Sequence, residues 1–333
     1  MKSLRLIVAV AVLVAALAAV AAGYWLTRPL ALAAEVVELS IEPGRSPRDI
    51  ADDWVRAGVR TSPLALYEWF RWSGRARLIR AGSYEITAGT TPMHLLEKMV
   101  RGDETLATVR LNEGWTFRQI RAEIARADTL KPSIAAMSDG DVMTAIGAPG
   151  VSPEGRFQPD TYAFSKGSSD LALLKRAYRA MGRHLVEAWN ERDPATPLRS
   201  ADEALTLASI VEKETGAVGD RGKVAGVFVN RLRLGMPLQT DPTVIFGLGS
   251  AFDGNLRKRD LVADTPYNTY TRTGLPPTPI AVPGKAALLA AVRPEATRAL
   301  YFVARGDGSS EFSETLADHN RAVNRYQRKI ATP

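Results

Sequence analysis

Leu207-Ala208-Ser209-Ile210-Val211-Glu212-Lys213-Glu214-Thr215 places two carboxylates in the last turns of an otherwise apolar helix. Ionised carboxylates are rarely buried without a partner, so a helix that carries them into a packed domain has matched them elsewhere or put them to chemical use. Ser200 and Glu203 have the spacing of a capping box that starts the helix, and Gly216 and Gly219 are expected to end it. At about 100° per residue, Glu212 lies in line with Leu205 and Ala208, and Glu214 with Leu207 and Ile210. The acids point nearly opposite ways and cannot share one cleft as an acid–base pair. Three and four positions from Glu212 stand Ala208, Ser209, Thr215 and Gly216, all small and none a cation, which leaves room for a ligand or another wall. Glu214, flanked by Ile210, Val211, Ala217 and Val218, suits a buried structural acid met by an arginine from another element. A carboxyl half-buried by apolar walls holds its proton to higher pH, because desolvation penalises the anion. It can then donate near neutral pH, for instance to a glycosidic oxygen, which leaves poorly until protonated. Spacing alone leaves a second reading open, in which Glu212 is a helix-terminal acid bonded to the next loop.

Downstream of this helix, Val224, Val227, Phe228, Arg231 and Leu232 mark a second one that ends near Gly235. Met236 to Gly284 is rich in Pro, Thr and Tyr and reads as a long irregular region, a length that is usually functional in a compact domain. A helix near Ala286–Val292 follows. Tyr301–Ala304 and Glu311–Ser313 then flank Gly306-Asp307-Gly308 as a hairpin, and a last helix starts at about Leu316. Upstream, past the connector Pro194–Arg199, two passages echo each other. Val37–Gly44 reads as strand and turn, after which Ser46 caps a helix through Ile50, Ala51, Trp54 and Val55. Thr108–Gly114 is a second strand and turn, after which Thr116 caps a helix through Phe117, Ile120, Ile124 and Ala125. Each is followed by another strand and helix: Gly82–Ile86 before Leu95, Leu96 and Met99, and Asp160–Phe164 before Leu171, Leu174, Ala177 and Met181. The repeated order predicts two related α+β units, roughly 36–105 and 106–182.

No charged residue occurs from Leu6 to Leu26, a stretch long enough to cross a bilayer core as a helix. Lys2 and Arg5 before it hold the N-terminus in the cytoplasm, and Tyr24 and Trp25 fit an interfacial belt. Ala31-Leu32-Ala33 also satisfies the small-x-small rule of a cleaved signal peptide, but the apolar stretch is about twice the usual length, which favours a retained anchor. In either case everything after Arg28 is expected outside the cytoplasm.

The 46% hydrophobic and 24% charged content is that of a folded chain, and 333 residues can bury one large core or two ordinary ones. Absent cysteine excludes a disulfide framework and a thiolate nucleophile, and His94, His184 and His319 stand too far apart to suggest zinc. A formal charge of +7 admits nucleic acid, an anionic membrane surface or an acidic polymer as partner. The basic residues are scattered among acids, without a block interleaved with aromatics, so nucleic acid ranks last.

Ser152-Pro153-Glu154-Gly155, Pro159-Asp160-Thr161-Tyr162, Ser209 to Thr215, Gln239-Thr240-Asp241-Pro242-Thr243-Val244, Tyr267-Asn268-Thr269-Tyr270, Gly274-Leu275-Pro276-Pro277 and His319-Asn320 occur in that order. Together they resemble the endolytic murein transglycosylases, or YceG-like proteins, from the apolar N-terminus to the end of the chain. The resemblance implies an α+β protein of three parts. These are a cytoplasmic stub and transmembrane helix at 1–28, a small LysM-like α+β unit at 36–105, and a mixed α+β catalytic domain with long loops at 106–330. It implies an inner-membrane, single-pass lytic transglycosylase with its catalytic part in the periplasm. Such an enzyme is a carbon–oxygen lyase that cleaves the MurNAc–GlcNAc bond within peptidoglycan strands, leaves 1,6-anhydro ends and limits nascent strand length. The implied partners are glycan strands, the inner membrane and peptidoglycan synthases, with no nucleic acid, cofactor or metal. Carried onto this sequence, the catalytic acid is Glu212. The mechanism consumes no water and so needs one carboxyl, which agrees with the opposed directions of Glu212 and Glu214. Gln239, Thr240 and Asp241 would offer polar contacts to sugar, and Tyr267, Asn268 and Tyr270 stacking and hydrogen bonds, while Glu154 would orient or neutralise a partner. Each has an architectural alternative: Asp241-Pro242 as a turn, the tyrosines as packing, Glu154 as a surface acid. His319 reads as a structural hydrogen-bonder. Gln158 stands where members of that family usually have an apolar residue, and Phe246 where tyrosine is usual, which touches subsite detail rather than the acid.

Two other readings remain. A hydrolytic muramidase would use Glu212 with a second acid such as Asp241 to activate water. A membrane-tethered, non-enzymatic cell-wall scaffold would use the paired strand–turn–helix units alone. A pyridoxal-phosphate lyase is disfavoured by export and by the lack of a marked lysine pocket.

Overall fold

The computed structural model describes residues 2–214 and 218–327, and the chain divides into two compact units. Gly216, expected to end the glutamate-bearing helix, lies outside the described residues together with Thr215 and Ala217. The first unit holds Met1–Thr108 and Ala163–Ser168. Its elements run α1 (Lys2–Thr27), β1 (Ala31–Leu32), β2 (Val36–Ile41), α2 (Pro47–Ala57), β3 (Val59–Arg60), α3 (Pro63–Trp72), β4 (Gly82–Thr87) and α4 (Pro92–Arg101). The stretch Arg5–Thr27 of α1 has a mean hydropathy of 2.8 and no buried share; it is the one helix among the described residues long and apolar enough to cross a membrane. Ser46, Ser62 and Thr91 each cap a helix with the side-chain oxygen, and a proline follows in the first turn. Strands β2 and β4 pair antiparallel with Val36 opposite Thr87 and Ile41 opposite Gly82. This register sets Val37, Ile41, Tyr84 and Ile86 against Trp54, Leu66, Phe70, Leu95 and Met99 in one buried core. Helix α3 was not legible in advance, since its Leu64, Trp72 and Arg71 blur the apolar stripe; only Leu66 and Phe70 are buried.

The second unit holds Val109–Tyr162 and Ser169–Pro333. The remaining elements are β5 (Leu106–Leu111), α5 (Phe117–Arg126), α6 (Asp139–Ile146), β6 (Asp160–Ser165), α7 (Asp170–Asn190), α8 (Ala201–Glu214), α9 (Arg221–Arg233), α10 (Asp241–Leu248), α11 (Lys258–Val262), α12 (Lys285–Val292), β7 (Tyr301–Ala304), β8 (Ser310–Ser313) and α13 (Leu316–Tyr326). The chain passes from one unit to the other within β5 and within β6. The two echoed passages both run strand, hydroxyl-capped helix, second helix, strand, helix, with short β3 added in the first, and both Ser46 and Thr116 complete capping boxes, with Asp49 and Gln119.

Helix α8 is the axis of this unit. Every residue from Ala204 to Val211 is buried, and α7, α9, α10 and α12 pack on it. Its Leu205, Leu207, Ile210 and Val211 share a core with Val224, Phe228, Ile280, Leu288 and Ala291. Such burial on all sides removes the usual polar face and makes any carboxylate on the helix exceptional. The Ser200 hydroxyl accepts the Glu203 N–H at 3.2 Å, as a capping box requires, but the Glu203 carboxylate returns to the N–H of Arg199 at 2.6 Å, one residue before the cap. The region Met236–Gly284 is also more regular than expected: Asp241-Pro242, the possible turn, opens α10, and α11 follows. Its β-branched Thr243, Val244 and Ile245 hid a helix whose start is fixed by Pro242 in the first turn. The hairpin β7–β8 pairs antiparallel with Phe302 opposite Phe312, as the Gly306-Asp307-Gly308 tip predicted.

Candidate active site

Four chain segments meet at the C-terminal end of α8. The segment leading into α12 runs along the helix: Ile280 N–H donates to Ser209 Oγ at 3.0 Å, and one turn further on Gly284 N–H donates to Glu212 Oε2 at 2.9 Å. The turn after β5 joins the same segment, with Gly114 N–H to the Val282 carbonyl at 2.9 Å and Val282 N–H to the Trp115 carbonyl at 2.8 Å. Lys213 Nζ reaches the Gly114 carbonyl at 3.3 Å. From the start of α9, an Arg221 amine stands 3.7 Å from Glu212 Oε1, outside hydrogen-bonding distance. Only 8% of the Glu212 side chain is exposed. Burial raises the proton affinity of its carboxyl above the ordinary carboxylate range; the Gly284 N–H and Arg221 pull the other way without reversing it, and Glu113 adds to the rise.

Glu214 points elsewhere, as the helical projection required. It was expected to meet an arginine, and the structure corrects this: its Oε1 accepts the Thr240 hydroxyl, while the arginine near α8 belongs to Glu212. Desolvation raises the Glu214 pKa as well, with the Thr240 hydrogen bond opposing. That bond carries the Gln239–Asp241 segment to the end of α8. Thr240 is buried, and Gln239 is exposed at φ +53°, with its Oε1 3.3 Å from an Arg231 amine. Buried Arg231 fastens the same segment by donating to the Leu238 carbonyl at 2.9 Å and the Leu300 carbonyl at 2.7 Å.

Asp241 is exposed and accepts the Tyr270 hydroxyl at 2.5 Å. Tyr267 packs edge-on against Phe246, its hydroxyl 2.9 Å from Thr278 Oγ1, so the departure at Phe246 is absorbed by ring packing. Asn268 is wholly buried: its amide donates to the carbonyls of Leu261 and Ala263, and its oxygen accepts the Tyr270 N–H. Its visible work is to fold the loop. Glu154 accepts the N–H of Phe117, the first residue of α5, through both oxygens, at 3.0 and 3.1 Å. Burial nevertheless pushes its pKa up to about 7. Gly155 brings this motif against Pro279 and Ala281, just past the Gly274–Pro277 motif, since a Cβ there would stand 2.6 Å from Pro279. The buried Gln158 pairs with His184 Nδ1 at 2.7 Å, which satisfies a polar group where an apolar one was expected. His319 stacks on Tyr301, and its Nδ1 has no hydrogen-bond partner among the described residues, so it packs rather than bonds. Sequence reasoning missed Gly284, Arg221 and Glu113 at the acid. Glu113 had been read only as part of a turn, and nothing in the spacing linked positions 113, 221 and 284 to 212.

Among the described residues no group of three or more His, Asp or Glu could hold a metal ion. A cavity of about 820 Å³ opens along the first turns of α8, lined by Arg156, Asp202, Thr206 and Gly274–Pro279, and Glu212 is not in its lining.

A desolvated carboxylic acid on a rigid helix, fixed by a backbone N–H, is the equipment of enzymes that break a bond by protonating its leaving group. Comparison with known proteins supplies the family. The model of the YceG-like family matches residues 39–325, and the chain belongs to that family. It is 33% identical over 307 residues to a Bacillus subtilis strain 168 protein named endolytic murein transglycosylase, covering 87% of this chain and 84% of that one. A Streptococcus pneumoniae serotype 2 protein of the same name is 26% identical over 86% of this chain, which spans 58% of that relative. The crystal structure of a YceG-like protein from Listeria monocytogenes superposes with a TM-score of 0.55 at 29% identity, over 86% of this chain and 98% of that one.

Proposed function

We propose that this protein is a lytic transglycosylase that cleaves peptidoglycan strands internally, with Glu212 as its proton donor and acceptor. The observation that carries the reading is the carboxyl of Glu212, desolvated at the end of a fully packed helix and held by Gly284 N–H, in a family whose named relatives are endolytic murein transglycosylases. Glu212 gives its proton to the oxygen that links N-acetylmuramic acid to N-acetylglucosamine. As a carboxylate it then takes the proton of the muramic C6 hydroxyl, whose oxygen bonds C1 and closes the 1,6-anhydro ring. The mechanism consumes no water, and Asp241, the example of a second acid given for a hydrolase, is engaged by Tyr270. The exposed edges of Gln239, Asp241 and Tyr270 supply sugar contacts, while Thr240, Tyr267 and Asn268 shape that wall from behind and Glu154 holds the start of α5.

Helix α1 anchors the chain in the inner membrane with its N-terminus in the cytoplasm, and the LysM-like unit and catalytic domain stand in the periplasm. Its apolar Arg5–Thr27 stretch and the Lys2 and Arg5 bias support that placement. Cleavage there would limit nascent strand length beside the synthases.

The test is a digest of purified glycan strands by the full chain, with mass analysis of the new ends. Anhydro ends are expected, and Glu212→Gln should lower their rate by about two to four orders of magnitude with the thermal melt unchanged. Reducing ends would replace this reading with hydrolysis. An absence of cleavage by folded wild-type protein would leave a binding scaffold.

A further inference from the structure

Across Gly284 from Glu212 stands Glu113. Its side chain is exposed. Its Oε1 lies 2.0 Å from the position a Cβ on Gly284 would take, and its Oε2 3.0 Å. Gly284 has φ −74°, ordinary for any residue, so a side chain there would meet no backbone strain and would displace only the end of the Glu113 side chain. The same glycine donates its N–H to Glu212 at 2.9 Å, which holds the two carboxyls no more than about 7.5 Å apart. Among the described residues no cation or hydrogen-bond donor pairs with Glu113. Glu113 is exposed and solvated, so its charge is not taken up by an ion pair, and its place beside Gly284 brings that charge near Glu212.

We propose that Glu113 is the second carboxylate of this centre, a positioning residue whose charge opposes that of Arg221 and keeps Glu212 protonated until the leaving oxygen draws the proton. The inference rests on the reading of Glu212 as the acid. Among the described residues, Arg221 from α9 and Lys213 from α8 favour the Glu212 carboxylate, together with the Gly284 N–H, and Glu113 from the β5 turn disfavours it. Glu214 is turned away toward Thr240. As the C1–oxygen bond breaks, its electron pair and the Glu212 proton both go to the departing oxygen, and positive charge develops at C1. An anion at position 113 attracts that charge and repels the new Glu212 carboxylate. The carboxylate is thus driven to recover a proton from the C6 hydroxyl as O6 bonds C1, and the cycle closes with Glu212 protonated.

The experiment compares pH–rate profiles of the full chain in detergent on purified glycan strands for wild type, Glu113→Gln and Glu113→Asp. In Glu113→Gln the basic limb should move to lower pH, so that its rate relative to wild type falls by about three- to tenfold across that limb at low salt. Glu113→Asp keeps the charge and should keep the wild-type limb. The ¹³C carboxyl resonance of Glu212, assigned by its loss in Glu212→Gln, should titrate at lower pH in Glu113→Gln. This second readout does not depend on turnover. Superimposable profiles, or an unchanged Glu212 titration in folded Glu113→Gln, overturn the proposal. If the wild type releases no anhydro ends, the transglycosylase reading fails by itself, and the Glu212 titration still decides what Glu113 does.

Discussion

Replacing Glu154 with glutamine should stabilise the protein above neutral pH and leave it unchanged in acid. The Glu154 carboxyl is pushed from its ordinary 4.5 up to about 7, burial being the larger cause and the Phe117 N–H the opposing one. The folded protein therefore binds this proton more tightly than the unfolded chain does. The resulting stability is complete below about pH 4.5 and is lost as pH rises through 7. At 1.36 kcal/mol per pKa unit, the ionised carboxylate at pH 8 costs the fold up to about 3 kcal/mol. Glutamine is neutral at every pH and keeps an oxygen to accept the Phe117 N–H. Glu154→Gln should match wild type at pH 4.5 and exceed it by about 2–3 kcal/mol at pH 8, a Tm gain of about 4–10 °C for a unit of this size. Thermal melts of both proteins by circular dichroism at pH 4.5, 6, 7 and 8 measure this, and the difference between them isolates one group from all others that titrate. A gap that does not widen with pH, or a glutamine variant less stable at pH 8, would refute burial as the dominant influence. The helix N-terminus at Phe117 would then be the stronger effect, holding Glu154 as an anion.

Two further substitutions probe the neighbourhood of α8. Gly284→Ala puts a Cβ 2.0 Å from Glu113 Oε1, so the Glu113 carboxyl must leave; strand cleavage should fall about tenfold with little change in Tm, and full activity would show that the contact is dispensable. Thr240→Val removes the donor that Glu214 accepts inside the protein, which should cost about 1–3 kcal/mol in urea unfolding, and a further Glu214→Gln change should recover part of it.

The sequence by itself determined most of the local structure, because local structure depends on neighbours in the chain. Hydroxyl caps at Ser46 and Thr116, and the hairpin tip Gly306–Gly308, set elements where their chemistry predicts them. The helical projection alone separated Glu212 from Glu214, since the 3.6-residue turn leaves no other outcome. Where local signals conflicted, the reading failed: β-branched Thr243, Val244 and Ile245 concealed α10, and α3 keeps too narrow an apolar stripe to be seen. What surrounds each acid was decided only by the tertiary structure. Arg221 was available to either glutamate, yet folding set it beside Glu212 and gave Glu214 a threonine hydroxyl. Asn268 and Tyr267, which read as groups for sugar, are held within or against their own loop. Gly284 and Glu113, far apart in sequence, bring a backbone donor and a second charge to one carboxyl. Desolvation and charge act through space over a few ångströms, so a side chain's proton affinity belongs to the packed neighbourhood and not to the residues beside it in the chain.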